Sequence, residues 1–146
     1  MKVHSIGHIV LKVRDLERSV PFYIEVLGMK EVSRNDRPMS FLIFKDNHHD
    51  IALVETGSDS PDAPDSAPGL AHLALKVGST MAELREAKSW LESHGVKIKR
   101  IRDHAVTKSI YFPDPDGNEI EVFVEDADRS WLKDPNLVST GVPMPL

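Results

Sequence analysis

The chain states one pattern twice. In GHIVLKV, Ile9, Leu11 and Val13 alternate with His8, Val10 and Lys12; in AHLALKV, Leu73, Leu75 and Val77 alternate with His72, Ala74 and Lys76. A period of two marks a strand with one apolar face, so each stretch is a strand that turns its histidine away from the aliphatic side. A helix follows each strand. The first has Leu16, Val20, Tyr23, Ile24 and Leu27 at helical spacing, Asp15 as N-cap and Gly28 suited to the C-terminal cap, with Pro21 expected to begin or kink it. The second is marked by Met81, Leu84, Ala87, Lys88 and Leu91 and ends at Gly95. Three further strands complete each half: Met29 to Ser33, Ser40 to Phe44 and Asp50 to Glu55, then Val96 to Ile101, Lys108 to Phe112 and Asn118 to Val124.

A chain of 146 residues that repeats βαβββ in this way is expected to form one α+β domain, residues 1–146. Two tandem modules, about 5–56 and about 70–125, would form a curved mixed sheet around a metal-binding cleft, because one small sheet cannot cover both of its faces. Residues 57–69, rich in Pro, Ser, Asp and Gly, read as an exposed linker, and 126–146 as a tail with no strand or helix period.

The closing hairpin carries the chemistry. Lys108 to Phe112 and Asn118 to Val124 flank Asp114-Pro115-Asp116-Gly117, a turn in which Gly117 can take positive φ. Ile120, Val122 and Val124 share one face, so Glu121 stands mid-strand on the other, with Tyr111 on the polar side of the neighbouring strand. A carboxylate there is costly to bury unless it is paired or binds a cation. Aligning the two halves on their last hairpins puts Phe44 with Phe112, Asp46 with Asp114, and Ala52 in the place of Glu121.

His8, His72 and Glu121 thus come from three strands, each on the non-aliphatic face, and the two histidines are repeat equivalents. A single strand histidine is usually a hydrogen-bonded structural residue; the equivalence favours a shared role. Two imidazoles and one carboxylate with open positions suit non-haem Fe(II), with Mn(II) as a close competitor. His49, His104 and Tyr111 are the remaining candidates, each with an ordinary structural role open to it. Without cysteine, neither a disulfide framework nor a thiolate ligand is available. A net charge of -5 with scattered Lys and Arg argues against nucleic acid as a partner. Neither a membrane span nor a signal peptide is evident, which predicts a cytoplasmic protein.

The paired halves, together with NHHDIALVE and DHAVTKSIYFPDPDGNEIEVF, resemble the vicinal oxygen chelate superfamily of glyoxalases, bleomycin-resistance proteins and extradiol dioxygenases. Within it the chain is most similar to the catalytic half of catechol 2,3-type dioxygenases, although it carries one pair of modules where many such enzymes have two. The resemblance implies metal ligands at His8, His72 and Glu121 and catalytic roles for His49, His104 and Tyr111. It implies an Fe(II)-dependent, ring-cleaving reaction of a small catechol-like aromatic with O2, in an expected homo-oligomer. A glyoxalase-like metal-dependent lyase or isomerase is the alternative enzyme; such enzymes use a second glutamate where Ala52 stands, and alanine cannot ligate a metal. A metal-free small-molecule-binding protein of the drug-resistance type is the third reading.

Overall fold

A computed structural model describes residues 1–64, 66–125 and 130–146; position 65 of the expected linker and 126–129 of the expected tail lie outside the described residues. The elements follow the order β1 (Ile9–Val13), α1 (Leu16–Glu25), β2 (Lys30–Asn35), β3 (Met39–Ile43), β4 (Ile51–Glu55), β5 (Leu73–Gly78), α2 (Met81–Ser93), β6 (Arg100–Asp103), β7 (Thr107–Pro113), β8 (Glu119–Glu125) and β9 (Val142–Pro143). This is the doubled βαβββ order in an α+β protein, with two mixed sheets, β1-β4-β3-β2 and β5-β8-β7-β6-β9. The chain divides into two compact units. The first is Met1–Ala67 with Pro115–Gly117, and the second is Pro68–Asp114 with Asn118–Leu146.

In the first unit α1 covers the aliphatic face of its sheet. Leu16, Val20 and Tyr23 of the helix are buried, as are Leu11, Val13, Leu42, Ile51 and Leu53 of the strands; each such side chain stabilises the fold by about 1.5–3 kcal/mol. The Asp15 carboxylate accepts from the Glu17 amide and starts the helix at Leu16, so Pro21 lies inside it rather than at its beginning. The helix closes on Gly28 at φ +69°, with the Met29 amide reaching back to the Tyr23 carbonyl. The carboxylate of Asp116, also of this unit, accepts from the Arg14 amide at 2.9 Å and the Ser19 hydroxyl at 2.5 Å, and pairs with the Arg18 guanidinium.

The second unit repeats the plan. Thr80 and Glu83 cap α2 reciprocally, each side chain bonded to the other's backbone amide. Leu84 and Leu91 meet a strand face on which Ile110, Phe112, Ile120 and Val122 are buried. Asp114 closes the last hairpin by accepting from both the backbone and the side-chain amide of Asn118 at 2.8 Å, while Gly117 takes φ +91°.

Three details depart from the periodicity. Strand β6 begins at Arg100, not Val96, because the Val96 amide is consumed in capping α2 through the Leu91 carbonyl, and pairing starts only where Tyr111 faces Arg100. The tail is not without structure: Ser130–Leu132 and Pro135–Ser139 form short 3-10 turns, and β9 adds an antiparallel edge to β6. In the hairpin alignment, Leu42 faces Ile51 as Phe112 faces Ile120, so Leu42 and not Phe44 is the counterpart of Phe112. Phe44 is accordingly exposed, whereas Leu42 and Phe112 are both fully buried.

Candidate active site

The parallel pairing in each sheet places the candidate positions by register. Val10 faces Ala52 across β1 and β4, and Ala74 faces Glu121 across β5 and β8. His8 and His72 each stand immediately before the first paired residue of the opening strand. Ala52 therefore does hold the place of Glu121, and Phe41, which faces Ala52, holds the place of Tyr111, which faces Glu121.

The second unit brings four of the six candidate residues together. His72 Nε2 lies 3.0 Å from Glu121 Oε2, and its ring meets the Tyr111 ring edge-on at 5.6 Å. Glu121 is 7% exposed; among the described residues its ion-pair partner is His72. The Tyr111 hydroxyl is 2.9 Å from His104 Nε2. Burial first, and then the adjacent Glu121 carboxylate, push the phenol up to about 12, so Tyr111 remains a hydroxyl at neutral pH.

Arg100 joins these groups although no periodicity in the sequence marks it. Its guanidinium sits 4.0 Å above the centre of the Tyr111 ring and is committed to Glu119, whose carboxyl it holds down to about 2 with help from Lys99. The signal that could have found it is the pairing of β6 with β7, which puts Arg100 opposite Tyr111; placing the strand at Val96 obscured that register.

His8 and His49 fall in the first unit. Their rings are 4.2 Å apart between centres, and His48 joins them with its Nδ1 2.6 Å from that of His49. Phe41 meets His49 edge-on at 5.2 Å. Burial, and next the charges of His8 and His48, hold the His49 imidazole below its ordinary value and favour its neutral form. Asp50, next to His49 in the chain, accepts from the Asn47 side chain at 2.9 Å and the Phe44 amide at 2.8 Å, which lowers its own pKa. Within each unit, among the described residues, no three His, Asp or Glu side chains are arranged around one metal position.

The sequence pattern of the Glyoxalase/Bleomycin resistance protein/Dioxygenase superfamily matches residues 5–122. The chain belongs to that superfamily. Among the superfamily's curated members, it is 33% identical over 130 residues to the catechol-2,3-dioxygenase of Bacillus subtilis, covering 88% of this chain and 44% of that protein. It is 33% identical over 122 residues to biphenyl-2,3-diol 1,2-dioxygenase 3 of Rhodococcus globerulus, covering 83% and 63%. It is 28% identical to the metallothiol transferase FosB of Staphylococcus saprophyticus, covering 82% and 76%. The chain thus spans about half to two thirds of the length of these dioxygenases. The superfamily fold is seen in the fosfomycin resistance protein FosX of Listeria monocytogenes, in a mutant form complexed with Mn(II) and 1S,2S-dihydroxypropylphosphonic acid. There the TM-score is 0.70 at 21% identity, over 90% of this chain and 98% of that one. Among the described residues of this superfamily member, no helix is long and apolar enough to cross a membrane.

Proposed function

We propose that the protein is an Fe(II)-dependent extradiol dioxygenase that opens the ring of a small catechol-like aromatic with O2. The observation that carries the reading is the His72–Glu121 pair, a buried carboxylate 3.0 Å from an imidazole nitrogen with a tyrosine hydroxyl beside it. Nitrogen and oxygen donors of this kind fit a divalent first-row metal, and a cation would offset the cost of holding Glu121 out of water. His8, which opens β1 as His72 opens β5, is the third donor of the proposed set; Mn(II) suits the same donors. The 33% identity to two dioxygenases of vicinal diols supports the choice of substrate class.

Iron in such a site would supply Lewis acidity toward the two vicinal oxygens and electron transfer to O2. The protein's own groups handle protons and orientation. His49 takes a proton from the catechol hydroxyl as it binds and returns one during cleavage. Tyr111, held as a phenol, orients a substrate oxygen, and His104 holds the Tyr111 hydroxyl in place. Both oxygen atoms enter the product, a ring-opened semialdehyde acid. We expect a homo-oligomer located in the cytoplasm.

The test is anaerobic reconstitution with Fe(II), followed by addition of O2 with a panel of catechols. A yellow ring-opened product with consumption of one O2 per catechol is expected; metal uptake without cleavage of any diol would sink the substrate assignment. A second reading is supported by the 28% identity to the metallothiol transferase FosB over 82% of this chain. On that reading the same metal donors serve transfer of a thiol, and divalent-metal-dependent consumption of a thiol with a panel of small electrophiles would select it. Failure to take up any divalent metal would leave the metal-free binding protein.

A further inference from the structure

The C-terminal residues lie outside the repeat, yet they enclose His104. The Thr140 carbonyl is 2.6 Å from His104 Nδ1. The Gly141 backbone runs so close to the ring that a Cβ there would lie 2.8 Å from Nδ1 and 2.9 Å from Cε1. Strand β9 pairs Val142 with Asp103 and Pro143 with Arg102, and the Met144 amide donates to the Ile101 carbonyl, so the segment is fastened to the strand that leads into His104. Gly141 does not have a positive φ. Its lack of a side chain is needed for the space beside the imidazole, not for backbone freedom.

The proton count follows from chemistry. A carbonyl oxygen only accepts, so Nδ1 carries a hydrogen whenever this bond exists. On the neutral ring Nε2 is then a bare acceptor, 2.9 Å from the Tyr111 hydroxyl. Tyr111 has one proton and two neighbouring acceptors, His104 Nε2 and the Glu121 carboxylate that faces it across β7 and β8. We propose that the C-terminal strand is a positioning element, in which the Thr140 carbonyl and Gly141 set the His104 ring and tautomer so that Nε2 takes the Tyr111 hydrogen bond and leaves the Glu121 lone pairs to His72 and a cation. The effect on turnover rests on the function proposed above; the tautomer and the close approach do not.

The test uses Gly141→Ala alone and combined with His104→Ala, in the full chain. In the unsubstituted protein without added metal, the ring nitrogens of ¹⁵N-labelled His104 should show hydrogen on Nδ1 and a bare Nε2. Gly141→Ala should move His104 toward a mixture of tautomers and lower kcat with a cleaved catechol by about 10–100-fold, with KM and metal content unchanged, as expected of a displaced group. In the His104→Ala background the same substitution should change neither the thermal midpoint nor kcat further, because the ring it collides with is gone. Hydrogen on Nε2 in the unsubstituted protein, or an equal loss of stability from Gly141→Ala in both backgrounds, would overturn the proposal. If no catechol is cleaved, the nitrogen spectra and the paired stabilities still decide it, separately from the failure of the dioxygenase reading.

Discussion

The two units share topology, helix placement and strand register, and differ in what stands on the face opposite the helix. In the second, the position facing Ala74 is Glu121, tied to His72 and followed across the strand by Tyr111, His104 and Arg100. In the first, the position facing Val10 is Ala52, fully buried, with Phe41 across the strand. One scaffold thus holds a carboxylate and a phenol in one copy and an alanine and a phenylalanine at the same register positions in the other. The lesson is that a buried carboxylate needs a whole set of partners, whereas an alanine in the same register needs none.

The largest expected effect comes from erasing this difference in the second unit. Glu121→Ala should abolish Fe(II) retention while preserving the fold, measured by metal analysis after gel filtration together with circular dichroism, since it removes a proposed ligand and a buried charge at once. Full metal occupancy in the variant would remove Glu121 from the site. The first unit contributes differently. His49→Ala should keep its metal and lose ring-cleaving turnover by roughly 10²–10⁴-fold, the usual cost of a missing acid or base; unchanged turnover with every active catechol would leave His49 a packing residue.

The reverse exchange, Ala52→Glu, places a carboxylate between Val10 and Phe41 without the partners that Glu121 has. It should destabilise the protein by about 3–5 kcal/mol in urea unfolding. A neutral result would mean that the first sheet accepts a charge as readily as the second.

A smaller effect concerns acid. The Arg100 guanidinium depresses the Glu119 carboxyl from the ordinary 4.5 to about 2, and burial only partly opposes it. A depressed carboxyl contributes stability that is complete above its unfolded value and is lost as pH falls through the folded one. The contribution should therefore be intact above about pH 5 and disappear between pH 4.5 and 2. Arg100→Met should cost about 1–3 kcal/mol at neutral pH and weaken this acid dependence, with Lys99 still paired to Glu119, read from unfolding midpoints at several pH values. The smallest effect is expected at Gly117, whose φ of +91° closes the hairpin. Gly117→Ala should lower stability by about 1 kcal/mol, measured by urea unfolding.

Much of this architecture is written in local pattern. The period of two in HIVLKV and HLALKV, the caps at Asp15 and Thr80 and the glycine at 117 are decided by residues within a few positions of one another, so the sequence by itself determined the doubled βαβββ order. It also determined the face on which Glu121 and Tyr111 stand, and the equivalence of Ala52 with Glu121, because strand parity and repeat spacing carry that information. Tertiary structure decided what no period encodes. Arg100 reaches Tyr111 because β6 pairs with β7 in one register, and Phe44 is exposed because its turn, longer than the one after Phe112, lets Leu42 take the buried place. Thr140 and Gly141 meet His104 only through the edge pairing of β9 with β6, a contact between segments far apart in the chain, made by backbone atoms that every residue possesses and therefore invisible in side-chain pattern.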